Sequence, residues 1–201
     1  MKTKSISLII LFAGLLFLNS CNGLSPKNYE KFPPGADFEK VLNAMSGTMK
    51  ENPKFYEIKG IFRIKSNNMY PPTRMEVTYI PEDNQDTFYE YGYNMIDAIW
   101  GTPTRVTLHE GSKSGRKMDR SEFDDILFSR EDMPDFSLFD SMYEKALEAA
   151  AMGEDGHVIG FDMNKFEGEN SFFITISTKD EKTKKAVFFD KAGNVLNTEN
   201  L

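Results

Sequence analysis

The chain holds one cysteine, Cys21, and it stands at the end of an apolar leader. A domain exported by such a leader cannot close an internal disulfide, so the fold that follows must stand on its buried core alone. The leader has three parts. Lys2 and Lys4 give a positive start, Ile6 to Leu18 is apolar apart from small residues, and Leu18-Asn19-Ser20 runs into Cys21. That is the pattern of a secretory signal peptide over residues 1–20. A permanent span needs roughly 20 apolar residues, and Ile6–Leu18 supplies 13. A buried core helix is also excluded, because the run has no polar residues to form an outer face.

The end of the leader resembles a lipobox, with Leu18 three before the cysteine, the small Ser20 next to it, and Asn19 as a less usual third member. The resemblance implies cleavage before Cys21, a diacylglyceryl thioether on its sulfur and an acylated amino group, with chains such as palmitate. One acyl chain binds a bilayer marginally, and two or three hold it, because each buried CH₂ contributes about 0.8 kcal/mol. Asn22 is not the Asp that retains some Gram-negative lipoproteins at the inner membrane. The expected address is therefore the outer membrane, facing the periplasm.

Charge narrows the partners. Without Lys2 and Lys4 the remaining chain has 22 basic and 31 acidic residues, a net −9. Nucleic-acid binding rests on clustered Lys and Arg, so that class of partner is not expected. The 181 residues from Cys21 onward leave room for one large or two small domains.

Along the chain, residues 21–35 are polar, end in Phe32-Pro33-Pro34-Gly35, and read as a lipid-anchored tether. Asp37 to Met49 reads as a helix with Asp37 as its N-cap, its apolar stripe being Phe38, Val41, Leu42, Met45 and Met49. Asn52-Pro53 ends it. Tyr56 to Lys65 alternates as a half-buried antiparallel strand with Tyr56, Ile58, Gly60, Phe62 and Ile64 inward. Thr73–Ile80, Thr87–Tyr93 and Pro103–His109 read as further strands. A linker over 111–134 follows, with Phe123, Ile126, Leu127 and Phe128 suggesting a helical turn or two. Asp135–Met152 reads as a second helix closed by Gly153. Strands at Val158–Phe166, Ser171–Thr178 and Lys184–Phe189 come next, and then a tight turn at Asp190–Asn194 leads into Val195-Leu196.

The halves share an order. A shift of 101 lays Phe38 on Phe139, Val41 on Met142, Leu42 on Tyr143, Met45 on Ala146 and Met49 on Ala150. A shift of 100 lays Gly60 on Gly160, and one of 99 lays Met75 and Val77 on Ile174 and Ile176. The expected fold class is α+β, two tandem units over 36–110 and 135–201, each a helix with its own antiparallel sheet packed on it. The stretch Phe139–Leu196, with Glu144–Ala150, Phe172–Ile176 and Val187–Val195, resembles a PepSY-like domain and the repeat of beta-lactamase-inhibitor-like proteins. In those families an Ala-rich helix precedes a meander ending in an Asp-x-x-Gly-x-hydrophobic turn, here Asp190 to Val195. The resemblance implies a binding or inhibitory module and no reaction.

The residues themselves offer no catalytic set. His109 and His157 stand 48 positions apart, and the one thiol is committed to the anchor. Glu154-Asp155-Gly156-His157 reads as a polar turn. Asp83–Asp86 lacks the Gly and terminal Glu of a calcium loop, and the methionines read as packing. No Gly-x-Ser-x-Gly elbow and no phosphate-cradling glycine loop occur. Asp124-Asp125 and Glu131-Asp132 lie in polar connecting sequence rather than in a glycosidase pair.

No enzyme activity and no cofactor or metal are expected. Two surface features stand out. One is aromatic, Tyr89, Tyr91, Tyr93 and Trp100, which serves either as core between the units or as a ligand surface. The other is the basic set Lys113, Arg116 and Lys117 in the linker, which suits either solubility or an acidic partner. The function expected is a non-catalytic binding lipoprotein of the bacterial cell envelope, held on the membrane through Cys21 and meeting an envelope protein or peptide. The alternatives are a carrier of a hydrophobic ligand in a cavity between sheet and helices, or a peptidase inhibitor.

Overall fold

In the computed structural model the described residues are 24–27, 29–49, 52–62, 73–81, 87–108, 120–166 and 168–201. The elements in chain order are α1 (Gly35–Met49), β1 (Lys54–Ile61), β2 (Arg74–Ile80), β3 (Phe88–Asn94), β4 (Ile99–Trp100) and β5 (Thr104–Val106), then α2 (Phe139–Ala150), β6 (His157–Phe166), β7 (Glu169–Ser177), β8 (Lys184–Phe189) and β9 (Val195–Asn200). The class is α+β. The nine strands form one antiparallel sheet in the order β4-β3-β2-β1-β6-β7-β8-β9, with β5 also on β3. Reading outward from the β1/β6 seam, each side meets its strands in chain order.

That seam settles what sequence periodicity left open. Expecting a separate sheet for each half leaves β1 and β6 as edges with unpaired amides. They pair with each other instead, Ile58 opposite Met163, Gly60 opposite Phe161 and Ile61 opposite Gly160. Gly60 is buried and Gly160 half-buried, on opposite faces of the sheet. The residue that matches Gly60 by face is therefore Phe161, at the 101-residue shift of the helices, and not Gly160.

A Cβ on Gly60 would stand 2.4 Å from the Phe161 ring and 2.9 Å from that of Phe38. The missing side chain thus makes the space in which Phe161 lies. Its ring packs edge-on against Phe38 of α1 at 4.9 Å and Phe139 of α2 at 5.1 Å between centroids. Phe172, Phe32 and Phe136 surround it at 6.2 to 6.4 Å. Edge-on pairs at these spacings add about 0.5–1.5 kcal/mol each beyond area burial. Both helices therefore sit on one face of the sheet, over one aromatic cluster.

The buried side of α1 is the stripe Phe38, Val41, Leu42, Met45 and Met49, each at most 2% exposed. That of α2 is Phe139, Met142, Tyr143, Ala146 and Ala150. The helix starts differ from expectation. α1 begins at Gly35, because the amide of Asp37 donates to Pro34 O, so Asp37 lies in the first turn and is not the N-cap. α2 begins at Phe139 after a 3-10 turn over Phe136–Leu138, which Asp135 caps through the Ser137 amide at 2.8 Å. The two starts meet: Gly35 N donates to the Asp140 carboxylate at 3.1 Å, and a Cβ on Gly35 would overlap Phe136 O.

At its other end α2 stops on Ala151 at φ 52°, and Lys185 Nζ donates to Ala150 O at 2.7 Å. The Asp190–Asn194 turn closes as expected, with Gly193 at φ 78° set against Met142. Lys145 Nζ ties the turn to α2 through Gly193 O at 2.6 Å.

The connecting segment makes a single turn where one or two helical turns were expected, Phe123 O accepting the amides of Ile126 and Leu127 at 3.1 and 2.9 Å, and is extended beyond it at Phe128. Phe128 bridges to Phe55 by a pair of backbone bonds at 2.8 and 2.9 Å. Phe123 lies on Phe88, ring centroids 4.8 Å apart, and joins Ile80 in a second small core on the helix-free face. A bulge between Phe55 and Glu57 leaves Phe55 in the main core and puts Tyr56 beside Phe88, not inward as the alternation suggested.

Gly60→Val is expected to lower the unfolding free energy by about 2–3 kcal/mol, since neither aromatic ring can give way without unpacking a helix. Gly47→Ala in α1, where nothing lies within 4 Å of the new Cβ, is expected to raise it by about 0.5–1 kcal/mol. Urea denaturation measures both, and the opposite signs are the check.

Candidate functional site

The residues from Leu24 to Pro34 do not form a free tether; they are docked. Lys27 N donates to Ile96 O at 3.1 Å. Lys27 Nζ reaches both oxygens of the Asp37 carboxylate at 2.6 and 2.7 Å, and Tyr29 OH donates to the same carboxylate at 3.0 Å. Burial, and then that bond, push the Tyr29 hydroxyl well above its ordinary pKa. Phe32 is 7% exposed, its ring 4.9 Å from Tyr143 and 5.4 Å from Phe38. A segment with these side chains has too much apolar surface to hang in water, and Asp37 near the start of α1 gives its lysine a partner. Leu24 and Tyr29 pack on the main core as well.

The aromatic residues singled out in the sequence come together beside this segment. Tyr91 and Tyr93 are 7% and 2% exposed and belong to the core. Trp100, half-buried, closes over them, stacked on Tyr91 at 5.4 Å and tilted on Tyr93 at 4.4 Å. Tyr89 is half-buried and tilted against Tyr79 at 6.0 Å. What solvent meets here is Trp100, part of Tyr89 and Ile99, which is 60% exposed. Cys21, Lys113, Arg116 and Lys117 lie outside the described residues.

Sequence reasoning missed an open groove of about 780 Å³. Its floor is Leu42, Met49 and Phe55. Its rim includes Ser46, Asn52, Lys54 and Ser129. Arg130 holds one wall to α1 by donating to Asn43 Oδ1 at 2.6 Å, with Glu39 3.7 Å away. Volumes of roughly 300–1,000 Å³ with an apolar floor and few polar groups suit small or extended ligands. No local motif could have shown it, since three separate segments build it. The space between sheet and helices is filled: Phe62, Met75 and Ile174 are 3%, 0% and 0% exposed. Among the described residues, these side chains leave no room there for a hydrophobic ligand.

The helix-free face carries charges across the seam. Lys59 bonds Glu57 at 2.5 Å and stands opposite Asp162 and Glu76 in the register. Arg74 Nε lies 2.9 Å from Glu76. Burial, then the neighbouring Glu57 charge, push the Asp162 carboxyl up to about 7. Burial works against the charge on Lys59, yet its bond to Glu57 and the surrounding carboxylates hold its pKa above the ordinary value. These side chains answer one another along the strands. Among the described residues no group of three or more His, Cys, Asp or Glu is placed to hold a metal, and no helix is long and apolar enough to cross a membrane.

No family model and no curated protein matches the chain. Among solved structures, the crystal structure of a "putative lipoprotein" from Clostridium difficile 630 covers 87% of this chain and 96% of its own, with TM-score 0.49 and 13% identity. A likeness at that level decides neither the fold nor the role of this chain.

Two outcomes follow from the geometry. The folded Asp162 carboxyl binds its proton up to about pH 7, whereas the unfolded one releases it near 3.9. Its contribution is thus fully present below pH 4 and is lost as pH rises to 7. Asp162→Asn is expected to flatten that slope and to raise stability at pH 8 by about 1–3 kcal/mol, read from urea melts between pH 4 and 8. Asp37→Ala removes the partner of Lys27 and Tyr29. Tryptic cleavage after Lys27 and Lys31 is expected to speed up several-fold, followed by mass spectrometry.

Proposed function

We propose that this chain is a lipid-anchored, non-catalytic binding protein of the bacterial cell envelope, attached through Cys21 to the outer membrane and facing the periplasm. The observation that carries the reading is the leader: a basic start, 13 apolar residues, and Leu18-Asn19-Ser20 before the one thiol in the chain. For the body, the reading is two PepSY-like units over 36–110 and 135–201 that share one sheet. What supports it is the strand order outward from the β1/β6 seam. The buried stripes of the two helices also correspond at a shift of 101, as do Gly60 and Phe161, and at a shift of 99 the buried Met75 and Val77 of β2 fall on the buried Ile174 and Ile176 of β7.

Binding is assigned to the groove at the end of α1, whose apolar floor and mixed rim suit an extended peptide or protein segment of the envelope. A peptidase-inhibitor role rests on the family resemblance alone and is the weaker reading.

Mass spectrometry of the amino-terminal peptide, taken from protein made in its own cells, tests the anchor. The expected species begins at Cys21 and carries a diacylglyceryl group on sulfur and an acyl group on nitrogen. A free thiol at Cys21, or an intact Met1, overturns the proposal.

A further inference from the structure

We propose that the turn between β3 and β4, Ile96–Trp100, lies against the phospholipid surface that holds the chain, so that the body is seated on the bilayer rather than suspended above it. The inference rests on the lipid-anchor reading and adds an orientation to it. The first argument is reach. Lys27 is pinned to Ile96 by its backbone bond of 3.1 Å, and it stands six positions after Cys21. Six residues span about 20 Å at full stretch. Leu24, three residues from Cys21, already packs on the core, which leaves about 10 Å between the acylated residue and the body. The anchor therefore arrives within reach of this turn.

The second argument is the turn itself. Asn94 Oδ1 accepts the amides of Ile96 and Asp97 at 3.0 and 3.2 Å, and Asn94 Nδ2 donates to Asp97 at 2.9 Å. Ala98 sits at φ 55°, a left-handed conformation that a residue with a Cβ rarely adopts. This built turn presents Ile99 outward at 60% exposure, beside a half-buried Trp100 stacked on Tyr91. An aliphatic tip flanked by a Trp ring is the chemistry of the headgroup boundary, where an apolar body and an N–H donor are both satisfied. The turn carries an exposed acid, Asp97, and the lysine bonded to the turn, Lys27, is engaged by Asp37, so the proposed contact is driven by apolar surface and not by anionic lipid.

Trp100 is the only tryptophan, which makes the test direct. The naturally acylated protein is reconstituted into phosphatidylcholine vesicles whose acyl chains carry bromine near the headgroup, and flotation confirms binding. The expected results are at least a twofold loss of Trp100 emission, protection from iodide, and no change when phosphatidylglycerol is added. Ile99→Asp is expected to halve the quenching or more while leaving the melting curve within a few degrees. Vesicle-bound protein whose Trp100 is unquenched and open to iodide overturns the proposal. If mass spectrometry finds Cys21 bare, the same thiol is coupled to a maleimide phospholipid. Quenching then keeps the seating surface while the natural-anchor reading falls, and its absence removes the surface as well.

Discussion

The Phe161 ring lying over Gly60 is the contact on which the architecture turns. A β-strand residue with any side chain at position 60 would push that ring out of the seam, since the space offered is 2.4 Å. With the glycine there, one aromatic side chain touches both helices and the central strand pair at once. The two helices are thereby set over a common point, and the sheet runs unbroken from β4 to β9. A chain with one cysteine has no internal disulfide as a covalent alternative. It holds itself together with interlocking aromatic rings from α1, α2, β6 and β7.

The same logic explains why the first half keeps an extra aromatic lid. On the far side β8 is followed by β9, a continuous strand with every residue exposed. On the near side the strand beside β3 is interrupted, with β4 pairing at Tyr93–Asn94 and β5 at Phe88–Glu90. The ladder breaks at Gly101 to Pro103, and Trp100, paired with Tyr93 at the end of β4, lays its ring over Tyr91 and Tyr93. Gly101 N still finds an acceptor in Gly92 O at 2.8 Å, so the interruption leaves no orphaned amide there. The edge that results is covered by an aromatic ring and a short turn in place of a regular strand.

Helices, strand pairs and the Asp190–Asn194 turn were legible because each is a local pattern: a 3.6-residue stripe, a two-residue alternation, an Asp and a Gly three apart. The β1/β6 pairing was not, because alternation marks a face and says nothing of which strand lies alongside. Gly60 looked like a repeat of Gly160 for the same reason; a shared letter does not carry the face it points to. The segment before α1 reads as polar by composition, yet Phe32 and Tyr29 outweigh its lysines once Asp37 is there to pair one of them. The aromatic run Tyr89–Trp100 was visible, but whether it is core or surface depends on Trp100 closing over it, a contact across a turn. The groove at Leu42, Met49 and Phe55 had no signal at all, since its walls come from α1, the turn into β1, and residues 129–131.

These pieces place the two working regions at opposite ends of one helix. Asp37, in the first turn of α1, grips the segment that leads back toward Cys21. Ser46, Gly47 and Met49, in its last turn, form a wall of the groove. Twelve residues of helix separate Asp37 from Met49, about 18 Å of rise. Arg130 braces the middle of that helix through Asn43, and the Phe38 ring fixes its axis to the seam. In the proposed seating on lipid, α1 is a rigid spacer that carries the groove away from the anchor. The orientation of a tethered domain is then set by packing within the domain, and not by the length of the tether.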